Sequence, residues 1–256
     1  MQGSAHQRPR LAFIHGLGLD ATMWHRVARL LPGRLDVSFQ PLLGHAPGPL
    51  APSDLTLRDM ADFTASCLRT RTHLVGFSLG GLVAALVAHT YPDLVRSLTL
   101  VSTVGRRTQK ERAIVRERLA LMESDFDAGV NDMLARWFPP HWLKRDRDLA
   151  HELTVTIRGH ERESLLACFR LFTKADLEVW PRLPGIAAPT RVITGSDDLG
   201  STPSMAADLA AALPAATHHI VDNAAHLLPL EQPEPLAALL LDHVDEVEAK
   251  HGHAHH

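Results

Sequence analysis

Short strand-like runs punctuate this chain, and the longer stretches between them carry apolar residues every three or four positions. Leu11-Ala12-Phe13-Ile14 is continuously apolar, as a parallel strand covered on both faces must be. Asp20 then offers a cap, and Met23, Trp24, Val27, Leu30 and Leu31 follow at helical spacing until Pro32-Gly33 stops them. Leu35–Phe39 reads as the next strand and Leu57–Leu68 as a helix feeding the strand Thr72–Val75. A further helical run begins at Leu82, Tyr91-Pro92 breaks it, and Leu98–Ser102 is strand-like again. The same rhythm returns late in the chain. Pro189–Gly195 reads as a strand, Ser204–Leu213 as a helix, His218–Asp222 as a strand, and Glu234–Val247 as the last helix. Strands alternating with helices predict a parallel sheet with right-handed crossovers.

Between Gly105 and Ala175 that rhythm is interrupted. Charged, helix-period stretches cover Lys110–Glu123, Phe126–Trp137, Arg147–Ile157 and Glu161–Phe172, although Leu153–Ile157 taken alone would also suit a strand. Aromatic residues are only 5% of the chain, yet Phe126, Trp137, Phe138, Trp142, Phe169 and Phe172 all fall here. The pattern predicts an α/β core formed by residues 1–104 and 176–250, with a helical cap, residues 105–175, inserted into it. The core should hold about six strands, all parallel, with helices on both faces, since Met1–Arg10 has no strand-forming sequence.

Composition narrows the class of function. A chain of 256 residues with 45% hydrophobic content can bury one large core, and its formal net charge of -3 leaves no basic face for nucleic acid. No apolar run approaches the roughly 18 residues of a membrane span, and the polar opening lacks a signal-peptide core. Two cysteines, Cys67 and Cys168, are too few for a disulfide framework and suit a reducing, cytoplasmic setting, with a single bridge left open. Four of the 17 histidines lie in the tail 251–256, which reads as disordered, either native or an appended tag. A monomer or homodimer acting on a small molecule, without a metal or other cofactor, fits these features.

The chemistry concentrates in Val75-Gly76-Phe77-Ser78-Leu79-Gly80-Gly81. This is G-x-S-x-G between an apolar strand and a helix, the setting in which a serine sits on a sharp, strained turn above a sheet. Side chains at the flanking positions would collide across so tight a bend, so Gly76 and Gly80 have none. A serine needs a base to take its proton and an acid to orient that base. Loops past the carboxyl ends of strands supply both, in the order Ser78, then Asp197-Asp198, then His226. Adjacent residues of an extended loop point to opposite sides, so only one of the two aspartates can face His226. Two backbone donors are needed where negative charge develops: Leu79 at the helix start and, in His15-Gly16-Leu17-Gly18, Leu17. His15 reads as a packing and hydrogen-bonding residue beside the site, and Trp24 as core beneath it.

In these motifs, together with Gly195-Ser196-Asp197-Asp198 and Ala225-His226 followed by Glu231-Gln232-Pro233-Glu234, the chain resembles the α/β-hydrolase-fold serine hydrolases, from Leu11 to the last helix. That resemblance places the acid at the fourth position of G-x-x-D, selecting Asp198, and so implies a triad of Ser78, Asp198 and His226. Within the superfamily the chain is similar to small carboxylesterases of the pimeloyl-ester esterase type. It is also similar to 3-oxoadipate enol-lactonases, through Met133-Leu134-Ala135-Arg136-Trp137-Phe138 and the run leading to Ala175-Asp176-Leu177. The implied activity is hydrolysis of a carboxylic ester or lactone. Carbon–carbon, thioester or perhydrolase chemistry on the same triad, or a slow-turnover ligand receptor, are the competing readings. Trp137, Phe138, Trp142, Phe169 and Phe172 are the candidates for a hydrophobic acyl pocket. Arg158, Arg162 and Lys174 could meet a carboxylate but suit the solvated surface better. Two features depart from the family. The loop Gln40–Pro47 lacks the usual acidic residue and second glycine of G-H-G-x-S, so no role is read for it. The usual pair of antiparallel strands before the first parallel one also has no room.

Overall fold

A computed structural model describes residues 8–137 and 146–253. Six strands form one parallel sheet: β1 (Arg10–Ile14), β2 (Asp36–Gln40), β3 (Thr72–Phe77), β4 (Val95–Val101), β5 (Thr190–Gly195) and β6 (Ala216–Val221). Their order across the sheet is β2-β1-β3-β4-β5-β6, and every pairing among the described residues is parallel. The reversal of direction from β1 leaves a crevice at the carboxyl ends of the central strands, where open α/β sheets hold their ligands.

Burial explains why some strands are easier to read than others. Every residue of β3 and β5 is buried, whereas of the two edge strands β2 alternates between exposed and covered positions and β6 is exposed over half its length. Edge strands have less to bury, so Asp36–Gln40 and Ala216–Val221 keep polar residues that central strands would exclude. Where central strands do carry charge, the last helix answers it. Arg191 on β5 donates to Glu246 at 2.9 Å and to the Leu239 carbonyl at 2.7 Å, and His73 on β3 lies 3.1 Å from Glu248.

Helices cover both faces. The segment expected as one helix after Asp20 is a 3-10 turn, Ala21–Trp24, running into a single α-turn, α1 (His25–Ala28), and Asp20 does cap it. α2 (Leu57–Cys67) begins with a full capping box between Thr56 and Asp59. α3 (Leu79–Thr90) is buried from Leu79 to Ala88, so it is apolar all round and forms the centre of the core.

Between β4 and β5 come α4 (Gln109–Ser124), α5 (Phe126–Trp137), α6 (Arg147–Gly159), α7 (Arg162–Phe172) and the short α8 (Ala175–Val179). Leu153–Ile157 is helical: Leu149, Leu153 and Ile157 are buried at four-residue spacing, while Val155, which a strand would place on the same face, is exposed. After β5 follow α9 (Pro203–Ala212), α10 (Leu228–Glu231) and α11 (Pro233–His253). The last helix therefore runs past Val247 to His253, into the first residues of the histidine tail. No strong breaker stands between Pro235 and Gly252, so nothing in that stretch stops a helix already anchored by Leu236, Leu240, Val244 and Val247. No helix of the described residues is long and apolar enough to cross a membrane.

Candidate active site

The turn between β3 and α3 holds Ser78 at φ 51°, ψ -116°, outside the ordinary regions for a residue with a side chain. Its surroundings enforce this. The Ser78 N–H is tied to the Val101 carbonyl at 2.9 Å, and a Cβ on Gly76 would collide with the Gly80 carbonyl, just as one on Gly80 would meet that of His15. Both glycines therefore permit close backbone approach. Leu79, as the first helical residue, has no acceptor for its N–H within the helix.

The loops after β5 and β6 are stitched together before they present any chemistry. Asp197 N–H donates to the Ala224 carbonyl at 2.9 Å, Ser196 N–H to Val221 at 2.9 Å, and Asn223 N–H to Ser196 Oγ at 3.1 Å. Asp198 is buried, and its Oδ2 lies 2.9 Å from His226 Nδ1 while Oδ1 accepts the N–H groups of Gly200 and Ser201, each at 2.8 Å. Burial alone would raise this carboxyl, but His226 and the two amides outweigh it and hold it below the ordinary carboxylate value. Asp197 is exposed, with Oδ1 accepting from Ser196 Oγ at 3.0 Å. The His226 loop has its own brace, for Glu231 Oε2 accepts the Ala225 N–H at 2.9 Å. Burial pushes the Glu231 carboxyl up, against the pull of that amide and of His226.

The loop after β1 is secured from beneath by His15, read from the sequence as a packing residue, and by His45 and His160, which the sequence alone did not single out. Gly18 N–H donates to His45 Nε2 at 2.9 Å, and Leu19 N–H to the Gly16 carbonyl at 3.2 Å. His45 Nδ1 donates in turn to Leu43 O at 3.1 Å, which fixes the tautomer that leaves Nε2 free to accept. His15 and His160 flank His45, each with its ring centre 5.1 Å away. His160 Nδ1 accepts the Ala46 N–H at 3.0 Å, and His15 Nδ1 donates to Gly16 O at 3.0 Å. Burial lowers all three, His15 to about 4, and for His45 the two neighbouring imidazoles add to the effect. The loop Gln40–Pro47 thus has a role after all, despite its departure from the family pattern. Its signal was a histidine directly past the carboxyl end of β2. Cys168 also packs here, donating to Leu43 O at 3.3 Å, with its thiol pushed up to about 12 by burial; both cysteines are free. Trp24 is fully buried, 4.7 Å from Phe13 between ring centres, and is core as expected.

Ser78, His226 and Leu17 open onto one cavity of about 320 Å³. Its far wall comes from the inserted helices. Trp137 lies nearly parallel to the His226 ring with centres 6.4 Å apart, and Phe169 and Phe172 line the same space. Phe138 and Trp142 lie outside the described residues. The three cations read as suiting the solvated surface lie away from the cavity: Arg158 pairs with Asp127 at 2.9 Å, Arg162 lies over Phe126, and Lys174 is exposed. Three others, Arg107, Arg118 and Arg136, line the cavity instead. Their signal was present in the periodicity. Arg118 shares a helical face with Val115 and Met122, and Arg136 with Met133 and Trp137, so each arginine sits on an apolar stripe.

A family model described as "Alpha/beta hydrolase family" matches residues 11–239. The chain belongs to the alpha/beta hydrolase family. Among relatives of this hydrolase, the (E)-2-((N-methylformamido)methylene)succinate hydrolase of Acinetobacter baylyi is 26% identical over 229 residues, covering 88% of this chain and 86% of that one. The pimeloyl-[acyl-carrier protein] methyl ester esterase of Chromobacterium violaceum is 28% identical over 246 residues, covering 93% and 95%. In overall fold the hydrolase matches the enol-lactonase of Burkholderia xenovorans LB400 with a TM-score of 0.85 at 22% identity, over 93% of this chain and 92% of that one.

Proposed function

We propose that the hydrolase cleaves carboxylic esters or lactones of a small, largely apolar acyl group through an acyl-enzyme on Ser78. The observation that carries this reading is the 2.9 Å contact of His226 Nδ1 with a buried Asp198, beside a cavity that Ser78 also lines. With Nδ1–H committed to Asp198, the imidazole keeps Nε2 as its basic nitrogen. His226 Nε2 removes the Ser78 proton as Oγ bonds to the carbonyl carbon, and the carbonyl oxygen becomes the oxyanion. Leu79 N–H, at the positive end of α3, is one donor to it. Because Gly18 and Leu19 N–H are spent on His45 and Gly16, Leu17 is the natural second donor in its loop. Collapse of the adduct breaks the bond to the alkoxy oxygen, which takes the proton from His226. Water activated by the same imidazole then releases the acid and restores Ser78. In a lactone the leaving alkoxide and the acyl group are one molecule, and the steps are unchanged. The relative named for a methyl ester substrate supports the bond type.

An electrophilic phosphonate should label Ser78 stoichiometrically, and Ser78→Ala should lower kcat on the order of 10⁶-fold while leaving the fold intact. Mass spectrometry of the labelled protein and ester turnover by the variant test this together. Near-normal turnover without the Ser78 hydroxyl would overturn it.

A further inference from the structure

The loop after β1 is a four-residue turn, Gly16 to Leu19, closed by Leu19 N–H on the Gly16 carbonyl at 3.2 Å. Gly18 stands third in it at φ 72°, the left-handed position that a type II turn requires. Among the described residues Leu17 N–H has no hydrogen-bond partner, and Leu17 is buried against the cavity.

Glycine alone is a poor lock for such a turn. Without a Cβ, Gly18 takes either sign of φ with little strain, so the peptide between Leu17 and Gly18 is free to flip. A flip would exchange the Gly18 N–H for the Leu17 carbonyl and turn Leu17 with it. The group that separates the two states is the acceptor beneath Gly18 N–H, His45 Nε2 at 2.9 Å. After a flip that lone pair would face a carbonyl oxygen, with both atoms out of water and neither hydrogen-bonded.

His45 is arranged to be an acceptor there and nothing else. Its Nδ1–H is committed to the Leu43 carbonyl at 3.1 Å, and burial beside the His15 and His160 imidazoles keeps the ring neutral. The inserted helices hold its loop from the other side. His160, at the end of α6, accepts Ala46 N–H at 3.0 Å, and Ser164 Oγ on α7 accepts Ala51 N–H at 3.0 Å. Cys168, also on α7, donates to Leu43 O at 3.3 Å.

We propose that His45 is a positioning residue of the hydrolysis. By accepting Gly18 N–H it locks the turn that aims Leu17 N–H at the oxyanion, and α6 and α7 keep it in place through residues 43–51. His45 does not line the cavity, so it acts through the backbone of the first loop rather than on substrate. The inference rests on the ester-hydrolase reading above. At this seam the inserted helices reach the chemistry as well as the substrate.

The test pairs His45→Gln, whose amide oxygen reaches the place of Nε2, with His45→Met, equal in length but without a comparable acceptor. In His45→Met, kcat for an activated ester should fall on the order of 10- to 100-fold, with KM within about twofold, less than the outright loss of an oxyanion donor. His45→Gln should recover most of that loss. A trifluoromethyl ketone reads the oxyanion directly: Ser78 Oγ bonds to its carbonyl carbon, the Ser78 proton passes to His226, and the ketone oxygen takes the negative charge. Its affinity should fall in His45→Met by the same factor as kcat/KM, whereas binding of intact ester to Ser78→Ala should not change when His45→Met is added. Near-normal kcat in His45→Met, equal losses in the two variants, or a fall in kcat with unchanged ketone affinity would each overturn the role. If His45→Met does not fold, His160→Leu is compared with His160→Asn, since only the second can still accept Ala46 N–H. A loss of kcat and ketone affinity confined to His160→Leu supports the lock, and no loss in either overturns it. Wild type that turns over esters and labels at Ser78 with a phosphonate keeps the hydrolase reading whatever the variants do. Wild type that does neither would sink that reading, and this proposal with it.

Discussion

The sheet-end loops and the inserted helices both bring polar groups to the same cavity, but they treat them differently. On the sheet side the framework of the site is hydrogen-bonded, with Asp198 accepting from His226 and two amides, Ala225 N–H held by Glu231 and Gly18 N–H by His45, while Ser201 Oγ in the same lining has no partner among the described residues. On the helical side Arg118 and Arg136 line the cavity among aromatics that contact ligand space rather than one another alone. A reaction needs its charges preorganised before substrate arrives, whereas recognition needs groups that the substrate itself will complete. Under the proposed function, bond chemistry falls to the core and choice of substrate to the helices.

The sharpest way to break that assignment is within the core loop. Asp198→Asn should lower kcat on the order of 10⁴-fold, because an amide cannot stabilise the imidazolium or enforce its tautomer. Asp197→Asn, one residue away and exposed, should cost less than about tenfold, or ~1.4 kcal/mol. Steady-state rates for the pair check it, and the reverse ranking would move the orienting acid upstream. That an acid follows β5 was legible from the sequence. The resemblance to the family's G-x-x-D run pointed to Asp198, and the structure turns Asp198 inward onto His226 and the Gly200 and Ser201 amides.

A smaller effect should appear on the helical side, and it should be selective. Trp137→Ala removes a ring that faces His226 across the cavity, and it should shift the preferred acyl length, each methylene being worth roughly 1–3 kcal/mol in such a pocket. A chain-length panel of esters reads this. Uniform loss for every ester would instead mean that Trp137 supports the His226 ring and belongs with the chemistry.

The smallest effect per group tests the seam where the two regions meet. His15, His45 and His160 are buried and neutral, with His45 joining the first loop to the inserted helices through its neighbour His160. Their folded-state values lie below the ordinary histidine value near 6.5. Above that pH neither the folded nor the unfolded chain binds these protons, so the stability they permit is fully present. As pH falls toward about 4 the unfolded chain takes up protons that the folded one refuses, and stability is lost by up to about 1.4 kcal/mol per pH unit for each histidine. Urea denaturation between pH 7 and 4.5 measures the slope. His45→Gln, able to keep one of the two hydrogen bonds, should lower stability at neutral pH yet flatten that slope; an unchanged slope would exclude His45 as its source.

Much of this was settled by local sequence. The fully buried β3, the glycines that let Ser78 adopt φ 51°, and the loops after β5 and β6 are each encoded within a few consecutive residues, because turn strain and strand burial are short-range properties. Helical periodicity likewise marked Arg147–Ile157 and its neighbours, and the same spacing sets the unread Arg118 and Arg136 on apolar faces. It could not say what those faces look at. Arg107 meets Asp176 across 69 positions, and His160 meets Ala46 across 114. A helix declares which of its sides is buried, but the partner of that side depends on how separate helices pack, and only the tertiary structure decides whether a buried arginine finds a carboxylate or is left facing a cavity.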